Sequence, residues 1–496
     1  MEVITILLAT VTACIAVIIA SWTRNRRKRH NLFKRCGIPG PEPAFWTGNL
    51  KEIKSKPTPN ETITAWLKKY GNIFGYFNGE LPFVVVKDLE MLKQIFIKDF
   101  HVFCNRPFVM DISPLNRTLI GLKGTRWKEV RSILTPNFST GKIKLLSHIV
   151  SRKVDITVDV VTKKAEKGEI FDMHEVVQAL TLDVIADCAL AMKTRCQDNP
   201  QDIFLTSVRS YFHHAHNSVL EYAIMFPSVK YIMSFLNKFM TAGQMTNLIV
   251  DSVNKAISER RKNPEVKSMD FLQMMLDHRG NDGTAVGLSD EEIVANSYLF
   301  ILGGYESTAT SLAYTFYLLA KHPEIQDKLY EEIKKAEDDS YITVQSLPYL
   351  NQMLTESLRL YPPITGFINR ECSEDYQVGS ITIPKGAVVQ APVWDIHHDP
   401  ELWPDPWTFD PNRFSPENKA SLNSMAYMPF GIGRRNCIAA QFALSEAKLT
   451  IFKLVKKFRF EACEKTDDPL TLICPAVITT PANGVHLRAV PRAATM

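Results

Sequence analysis

The chain has 496 residues, of which 45% are hydrophobic, 22% charged and 10% aromatic. This composition excludes a disordered chain, a collagen-like repeat and a multi-span membrane protein. The net charge of +5 comes from 58 basic and 53 acidic side chains, but residues 1–36 hold seven of the basic residues and only one of the acids. The rest of the chain is therefore close to neutral, which argues against nucleic-acid binding because that function requires a basic face.

Residues 3–22 form an uncharged, mostly aliphatic run that ends at Trp22. As a helix, the run would span about 30 Å, the thickness of the hydrocarbon core of a bilayer. A cleaved signal peptide would place positive charge before the apolar run, whereas this chain has Glu2 before it and Arg24 after it. We therefore predict a transmembrane anchor over residues 1–23, with the basic flank and the following chain on the cytosolic side.

Residues 24–43 are predicted to connect the anchor to the rest of the chain. They combine the basic cluster with Pro39, Pro41 and Pro43, which are incompatible with a helix and favour a semi-rigid connector. Neither a repeat nor a low-complexity tract follows, so we predict one large domain over residues 44–496.

The pattern of that domain is mainly α with a minor β part. Ser289 and Glu292 form a capping box, and the helix that they open is predicted to reach residue 320. Its middle is apolar on all sides except at Glu306, which predicts burial in the centre of the domain. Further helices are predicted over 323–337, 348–360 and 439–457, and short strands over 376–378, 381–383 and 387–390.

A glycine-containing segment, residues 430–439, precedes the last of these helices and contains Cys437. A helix amino terminus lowers the pKa of a nearby thiol because its free N–H groups favour the thiolate. Glycines allow backbone N–H groups to approach the sulfur, and Arg435 offers a guanidinium suited to a carboxylate. The segment is thus a candidate metal-thiolate site.

This segment resembles the haem-binding pattern F-x-x-G-x-R-x-C-x-G of the cytochromes P450. Phe430, Gly433, Arg435 and Cys437 match it, and Ala439 stands where the pattern has Gly. The resemblance implies the cytochrome P450 fold, with a single haem domain behind the membrane helix. It also implies haem b as cofactor, with Cys437 as the axial thiolate of the iron.

Two further motifs match the same family. Glu356-Ser-Leu-Arg359, with Arg413 downstream, corresponds to its buried structural Glu-Arg-Arg network. Trp127-Lys-Glu-Val-Arg131 corresponds to its W-x-x-x-R helix, in which both side chains lie on one face. The resemblance implies that the residues contacting the haem propionates are Trp127, Arg131, Arg370 and Arg435.

Residues 303–308 correspond to the oxygen-activation motif of the family, with Ser307 where Thr is usual. Gly303 and Gly304 weaken the helix and leave room beside its backbone. Reduction of O₂ requires protons, so an acid beside hydroxyl groups is a plausible relay. The resemblance implies catalytic roles for Glu306, Ser307 and Thr308.

The resemblance also implies an apolar substrate pocket suited to lipophilic molecules of broad, xenobiotic type. The residues expected to line it are Phe103, Phe108, Phe300, Gly303, Ile364, Phe367, Val477 and Ile478.

The chain lacks flavin and NADPH fingerprints, so its electrons must come from a partner. By resemblance, that partner is NADPH–cytochrome P450 reductase in the endoplasmic reticulum membrane, with cytochrome b5 as a second candidate donor. Basic residues near the haem loop and last helix are expected to form the docking face: Arg434, Lys448, Lys453, Lys456 and Lys457.

Other functions and sites remain as alternatives. A haem-thiolate isomerase or dehydratase would act on peroxides without a reductase, and a non-catalytic haem- or lipophile-binding protein would form no product. His174-Glu175 begins like a zinc-protease motif, but Gln178 replaces its second histidine. His213, His214 and His216 lack a second group of ligands, so we expect a solvated face there.

Overall fold

The computed structural model describes residues 2–107, 112–215, 218–263, 270–280, 287–379, 381–419 and 421–492. The α-helices of its first half are α1 (Glu2–His30), α2 (Leu32–Arg35), α3 (Leu50–Ile53), α4 (Pro59–Tyr70), α5 (Leu89–Lys93), α6 (Gly124–Leu134), α7 (Thr140–Glu166), α8 (Met173–Leu190), α9 (Ile203–His214), α10 (Ser218–Met225), α11 (Lys230–Asn237) and α12 (Thr241–Lys262). Those of the second half are α13 (Phe271–Asp277), α14 (Asp290–Lys321), α15 (Pro323–Lys334), α16 (Tyr341–Ser346), α17 (Pro348–Leu360), α18 (Val393–His397), α19 (Pro416–Lys419) and α20 (Ala440–Lys457).

The strands form small sheets at the edges of this helical body. They are β1 (Ile73–Asn78), β2 (Leu81–Val86), β3 (Phe171–Asp172), β4 (Asn369–Glu371), β5 (Tyr376–Val378), β6 (Ile381–Ile383), β7 (Val388–Gln390), β8 (Phe458–Ala462), β9 (Leu472–Ile473), β10 (Thr480–Pro481) and β11 (His486–Pro491). One sheet has the order β1-β2-β7-β4, in which only β2 and β7 are parallel, and another has the order β3-β11-β8. The mainly α class with a minor β part is confirmed, as are the predicted helices and strands within one to three residues.

The 32-residue helix α14 runs through the centre of the body. The predicted capping box is present, since the Ser289 hydroxyl accepts from the Glu292 N–H and the Glu292 carboxylate accepts from the Ser289 N–H. The helix packs against α8, α12, α17 and α20, so it is buried on several sides, as its apolar sequence predicts.

The predicted Glu-Arg-Arg network connects α17 with the segment before α19. Both side chains of the Glu356–Arg359 pair are fully buried, and two Arg359 nitrogens donate to the two carboxylate oxygens at 2.7 and 2.8 Å. Arg413 Nε donates to the same carboxylate at 3.3 Å. Burial raises the pKa of Glu356 even though both arginines act to lower it, so the carboxylate depends on its cationic partners to stay ionised.

His397 links this network to the segment that leads to Cys437. It is fully buried, with Nδ1 at 3.1 Å from the Arg359 carbonyl, and Nε2 accepts from the Met428 N–H at 3.0 Å. Burial, with the nearby His398 and Arg359 charges, lowers the pKa of His397 to about 3. The neutral imidazole therefore acts as a fixed bridge between donor and acceptor.

The apolar helix α1 continues through the predicted boundary at residue 23 and ends at His30. It is long and apolar enough to cross a membrane. Arg26 in its last turns is fully buried, where it pairs with Glu80 and donates to the Phe45, Trp46 and Met225 carbonyls. Part of the predicted basic flank is therefore helical and packed against the domain.

Replacing Glu356 with Gln should lower the free energy of unfolding by about 3–5 kcal/mol, because it leaves the buried Arg359 and the partly buried Arg413 without their counter-charge. Chemical denaturation followed by circular dichroism measures this difference. Glu401→Gln, at an exposed position in the same region, is the matched control and should change stability by no more than about 0.5 kcal/mol. Equal stability of the two variants would contradict the role of the network.

Candidate active site

The loop around Cys437 has a backbone that requires glycine. Gly431 and Gly433 have φ values of 77° and 68°, a region that side chains with a Cβ rarely occupy. A Cβ at Gly433 would also lie 2.3 Å from the Phe96 carbonyl oxygen. The Cys437 N–H donates to the Phe430 carbonyl at 2.8 Å, so the loop closes on itself just before α20.

A cavity lies between this loop and the middle of α14, and the exposed surface of Cys437 belongs to it. The structure brings to its lining many of the predicted site residues: Trp127, Arg131, Phe300, Gly303, Ser307, Thr308, Ile364, Phe367, Phe430, Arg435 and Cys437. Most of the other lining side chains are apolar, including Leu119, Ile120, Phe138, Ile185, Leu299 and Phe442.

Several predicted site residues lie away from this lining. Phe103 is fully buried in a separate core, where its ring meets Tyr376 edge-on. Val477 is 52% exposed, and Ile478 lines a second, polar pocket. Phe108 and His216 lie outside the described residues.

Two more of the predicted haem contacts, Gly433 and Arg370, also lie outside the cavity lining. Gly433 determines the backbone conformation of the loop and packs against the Phe96 carbonyl. Arg370 is buried, donates to the Asn369 carbonyl at 2.6 Å and lies over the Phe96 ring. Its Nε has no hydrogen-bond partner among the described residues.

Three arginines line the cavity close to Cys437: Arg106, Arg131 and Arg435. Arg435 is buried, donates to the Cys104, Leu119 and Leu122 carbonyls and lies 4.0 Å from the centre of the Trp127 ring. Within the described parts of the chain, none of the three forms a salt bridge.

Arg106 and Arg131 are held by neutral acceptors. Arg106 donates to the Phe367 carbonyl at 2.6 Å and to the Arg435 carbonyl at 3.2 Å, and Arg131 donates to the backbone and side-chain oxygens of Asn436. Burial and mutual repulsion lower the pKa of Arg106 to about 9, and burial lowers that of Arg435 to about 10. A cationic cluster of this kind fits an anionic ligand.

The face of α14 that lines the cavity carries Gly303, Ser307 and Ser311, four residues apart. Ser307 Oγ donates to the Gly303 carbonyl at 2.6 Å. Thr308 lies beside them on the cavity wall. Glu306 is turned to another face, because one residue along a helix rotates the side chain by about 100°, and it lines the second pocket together with His174 and Gln178.

Comparison with known proteins decides the family. The family model described as cytochrome P450 matches residues 38–488. The chain is 34% identical to cytochrome P450 3A41 of Mus musculus over 487 residues, covering 96% of each chain. It is 35% identical to cytochrome P450 3A2 of Rattus norvegicus over 491 residues, covering 97% of each chain. This chain is a cytochrome P450.

The P450 is therefore a haem-thiolate monooxygenase, with haem b as its cofactor. The cavity fits this group: Cys437 faces it, and its unpaired arginines match the two carboxylates of protoporphyrin. Cys437 would hold the iron, and Arg106, Arg131, Arg435 and the Trp127 N–H would hold the propionates. Bound haem supplies the iron centre at which O₂ is activated.

The pKa of the Cys437 thiol does not follow the expectation that a helix amino terminus lowers it. Burial raises its pKa, and this effect outweighs the Ala439 N–H and the charges of Arg131 and Arg106, which act to lower it. The helix amino terminus is therefore one of several opposing influences on this thiol, and burial is the largest of them.

Arg106 was missed by the sequence reasoning. Its neighbours Asn105 and Pro107 belong to none of the motifs discussed above, and it reaches the cavity only because its segment packs between Phe367 and Arg435. The only available signal was a positive charge close to the predicted pocket residue Phe103.

Replacing Arg106 with Gln should weaken haem binding by about 10- to 100-fold, since a charge-assisted hydrogen bond contributes about 1.5–3 kcal/mol. Transfer of haem to an excess of an apo-acceptor protein, followed by absorbance, measures the loss. Arg434→Gln changes the exposed neighbour of Arg435 in the same loop and should retain haem like the unmodified protein. Equal haem loss from both variants would argue against a propionate contact.

Proposed function

We propose that this P450 is a membrane-anchored enzyme that oxygenates lipophilic small molecules, with electrons from NADPH delivered by NADPH–cytochrome P450 reductase. Cytochrome b5 is the second electron donor in this proposal. The observation that carries it is the apolar cavity that reaches Cys437 beneath the central helix. Oxidation would insert one oxygen atom of O₂ into the substrate and reduce the other to water.

The cavity wall supports a lipophilic substrate. Phe138, Phe300 and Leu299 form part of it, and Ile364 and Phe367 contribute from the segment before β4. The polar side chains of the lining are concentrated at the arginine cluster and at Ser307, Thr308 and Ser311. Apart from the hydroxyls of α14, a substrate would therefore meet mostly apolar surface, which favours recognition by shape and burial.

Only three of the five basic residues predicted to form the reductase-docking face are exposed and without an acidic partner among the described residues. Arg434, Lys456 and Lys457 are exposed near the Cys437 loop and at the end of α20. Lys448 is buried, and Lys453 pairs with Asp155 at 2.6 Å and with Asp339 at 3.0 Å. The first three residues are therefore the cations that remain available for an acidic partner.

The proposed location is the endoplasmic reticulum membrane, with the catalytic domain in the cytosol. α1 supplies the anchor, and its Trp22 ring packs with Phe45, Trp46 and Phe226 where the helix meets the domain. The sequence has three N-x-Ser/Thr glycosylation sequons, at Asn60, Asn116 and Asn137. The side chains of Asn60 and Asn137 are buried in the folded domain, which supports a location where they are not glycosylated.

The central test uses the full-length protein with reductase, in phospholipid vesicles, and a panel of lipophilic compounds. NADPH-dependent products should appear, each with one oxygen atom from labelled O₂, and the reduced protein with CO should show the thiolate absorbance band. Cys437→Ser should lose that band and the products. Turnover of a hydroperoxide without NADPH, in the absence of oxygenated products, would support the isomerase or dehydratase alternative instead.

Reversing the charges of Lys456 and Lys457 to Glu should raise the reductase concentration needed for half-maximal turnover by roughly tenfold at low salt, because rim charges govern association. The difference should shrink as ionic strength rises. Lys51→Glu, at an exposed position on α3, is the control for a change of net charge elsewhere. An unchanged reductase dependence in the double variant would place docking on another face.

A further inference from the structure

A second pocket meets a different face of α14 from the Cys437 cavity, and its lining is more polar. Its lining includes the ionisable side chains of Asp172, His174, Glu175, Arg209, His213 and Glu306. Glu175 and His213 are exposed, whereas His174 and Glu306 are buried. The pocket therefore connects the protein surface with the carboxylate of the central helix.

Within this pocket, Glu306 is bound tightly to α8. Its Oε1 lies 3.1 Å from His174 Nε2 and accepts from the Thr310 hydroxyl at 3.3 Å, and its Oε2 accepts from Gln178 Nε2 at 2.9 Å. Gln178 is in turn held by Arg209 Nε at 3.1 Å. His174 is thus the one titratable side chain, among the described residues, within hydrogen-bond distance of the Glu306 carboxylate.

We propose that His174 is a positioning and proton-supplying residue for oxygen activation, and that the second pocket is the route by which protons reach Glu306. The proposal rests on the monooxygenase function, whose overall reaction consumes one O₂, two electrons and two protons for each oxygen atom inserted. Ser307 follows Glu306 in the chain and lines the Cys437 cavity, so its hydroxyl lies between the carboxylate and the proposed site of oxygen activation.

The transfer is a simple exchange. The imidazolium Nε2–H of His174 gives its proton to Glu306 Oε1, which leaves a neutral imidazole and a carboxylic acid. Rotation of the Glu306 side chain brings this acid towards the Ser307 hydroxyl, which accepts the proton and passes its own proton to the oxygen atom that is reduced to water. This step regenerates the Glu306 carboxylate, and two such transfers supply the two protons of the overall reaction. Water in the pocket returns a proton to His174, so neither residue is changed over a cycle.

Several charged and polar groups around His174 and Glu306 shift the pKa values of these two side chains. Burial acts to lower the pKa of His174, but Glu306, by hydrogen bond and charge, and Asp172 outweigh it and raise the pKa, while Arg209 opposes them. Burial acts to raise the pKa of Glu306, but His174, Gln178 and Thr310 outweigh it and lower the pKa. Glu175 and His213 face the pocket from its rim, and residues 473–478 add apolar side chains. The two groups therefore favour each other's charged form, the imidazolium of His174 and the carboxylate of Glu306.

The test replaces His174 with Gln, which keeps a hydrogen-bonding side chain but cannot carry a charged proton. In the full-length holoenzyme with reductase, this variant should release roughly three- to tenfold more hydrogen peroxide per NADPH oxidised than the unmodified protein at neutral pH. The unmodified protein should lose this advantage as pH rises through the raised pKa of His174, whereas His174→Gln should vary little over the same range. His148→Gln, which removes an exposed histidine of α7 outside this pocket, should retain the unmodified profile.

Infrared difference spectra of the ferric protein provide a readout that needs no turnover. His174→Gln should show the band of a protonated carboxyl group at neutral pH, because Glu306 has lost its cation, and His174→Gln combined with Glu306→Gln should lack that band. An ionised Glu306 in His174→Gln, or an unchanged peroxide yield and pH profile, would overturn the proposal. If His174→Gln lost the CO-bound thiolate band to the same extent as its peroxide yield changed, the role of His174 would be purely structural. That result would also overturn the proposal. If the proposed function itself fails, oxygenated products are absent from the unmodified protein too, while the infrared result still stands.

Discussion

The burial of α14 is the constraint on which the rest of this P450 depends. A helix of 32 residues through the centre of the body must be covered along most of its surface, and α8, α12, α17 and α20 pack against it. The cavity borders the face that carries Gly303 and Ser307. Any polar side chain on such a helix needs a partner. Asn296 accepts from the Leu119 N–H, and Thr315 bonds to Ser357 on α17. These polar contacts fix which face of the helix meets which neighbour.

The orientation of α14 in turn divides its functional motif between two environments. Gly303 and Ser307 face an apolar cavity with Cys437 on its far wall, while Glu306 faces a polar pocket that reaches the surface. A charged group beside an apolar substrate would incur a large desolvation cost. Placing the carboxylate on another face avoids this cost and still keeps the acid one residue from the cavity wall.

The arginines beside Cys437 are held in the cavity wall without acidic partners among the described residues. Arg106, Arg131 and Arg435 are held by carbonyl groups and an aromatic ring instead of by acids, so their charge remains available to a ligand. The buried Arg359 has the opposite arrangement, with its charge balanced by Glu356. Arginine thus stabilises the fold where it pairs with an acidic side chain, and it is suited to bind an anionic ligand where its hydrogen-bond acceptors are neutral.

The sequence by itself determined the family, the capped central helix and the apolar amino-terminal helix, and it predicted Cys437 as the thiolate ligand. These depend on local signals: a ten-residue loop, a capping box and hydrophobic runs. Only the tertiary structure decided that Arg106 joins the cavity, that Phe103 and Val477 lie away from it, and that Lys448 and Lys453 are already buried or paired. It also decided that Glu306 faces His174, 132 positions away along the chain. The physical reason is that such contacts depend on how helices pack and rotate against one another, and no local sequence pattern specifies this.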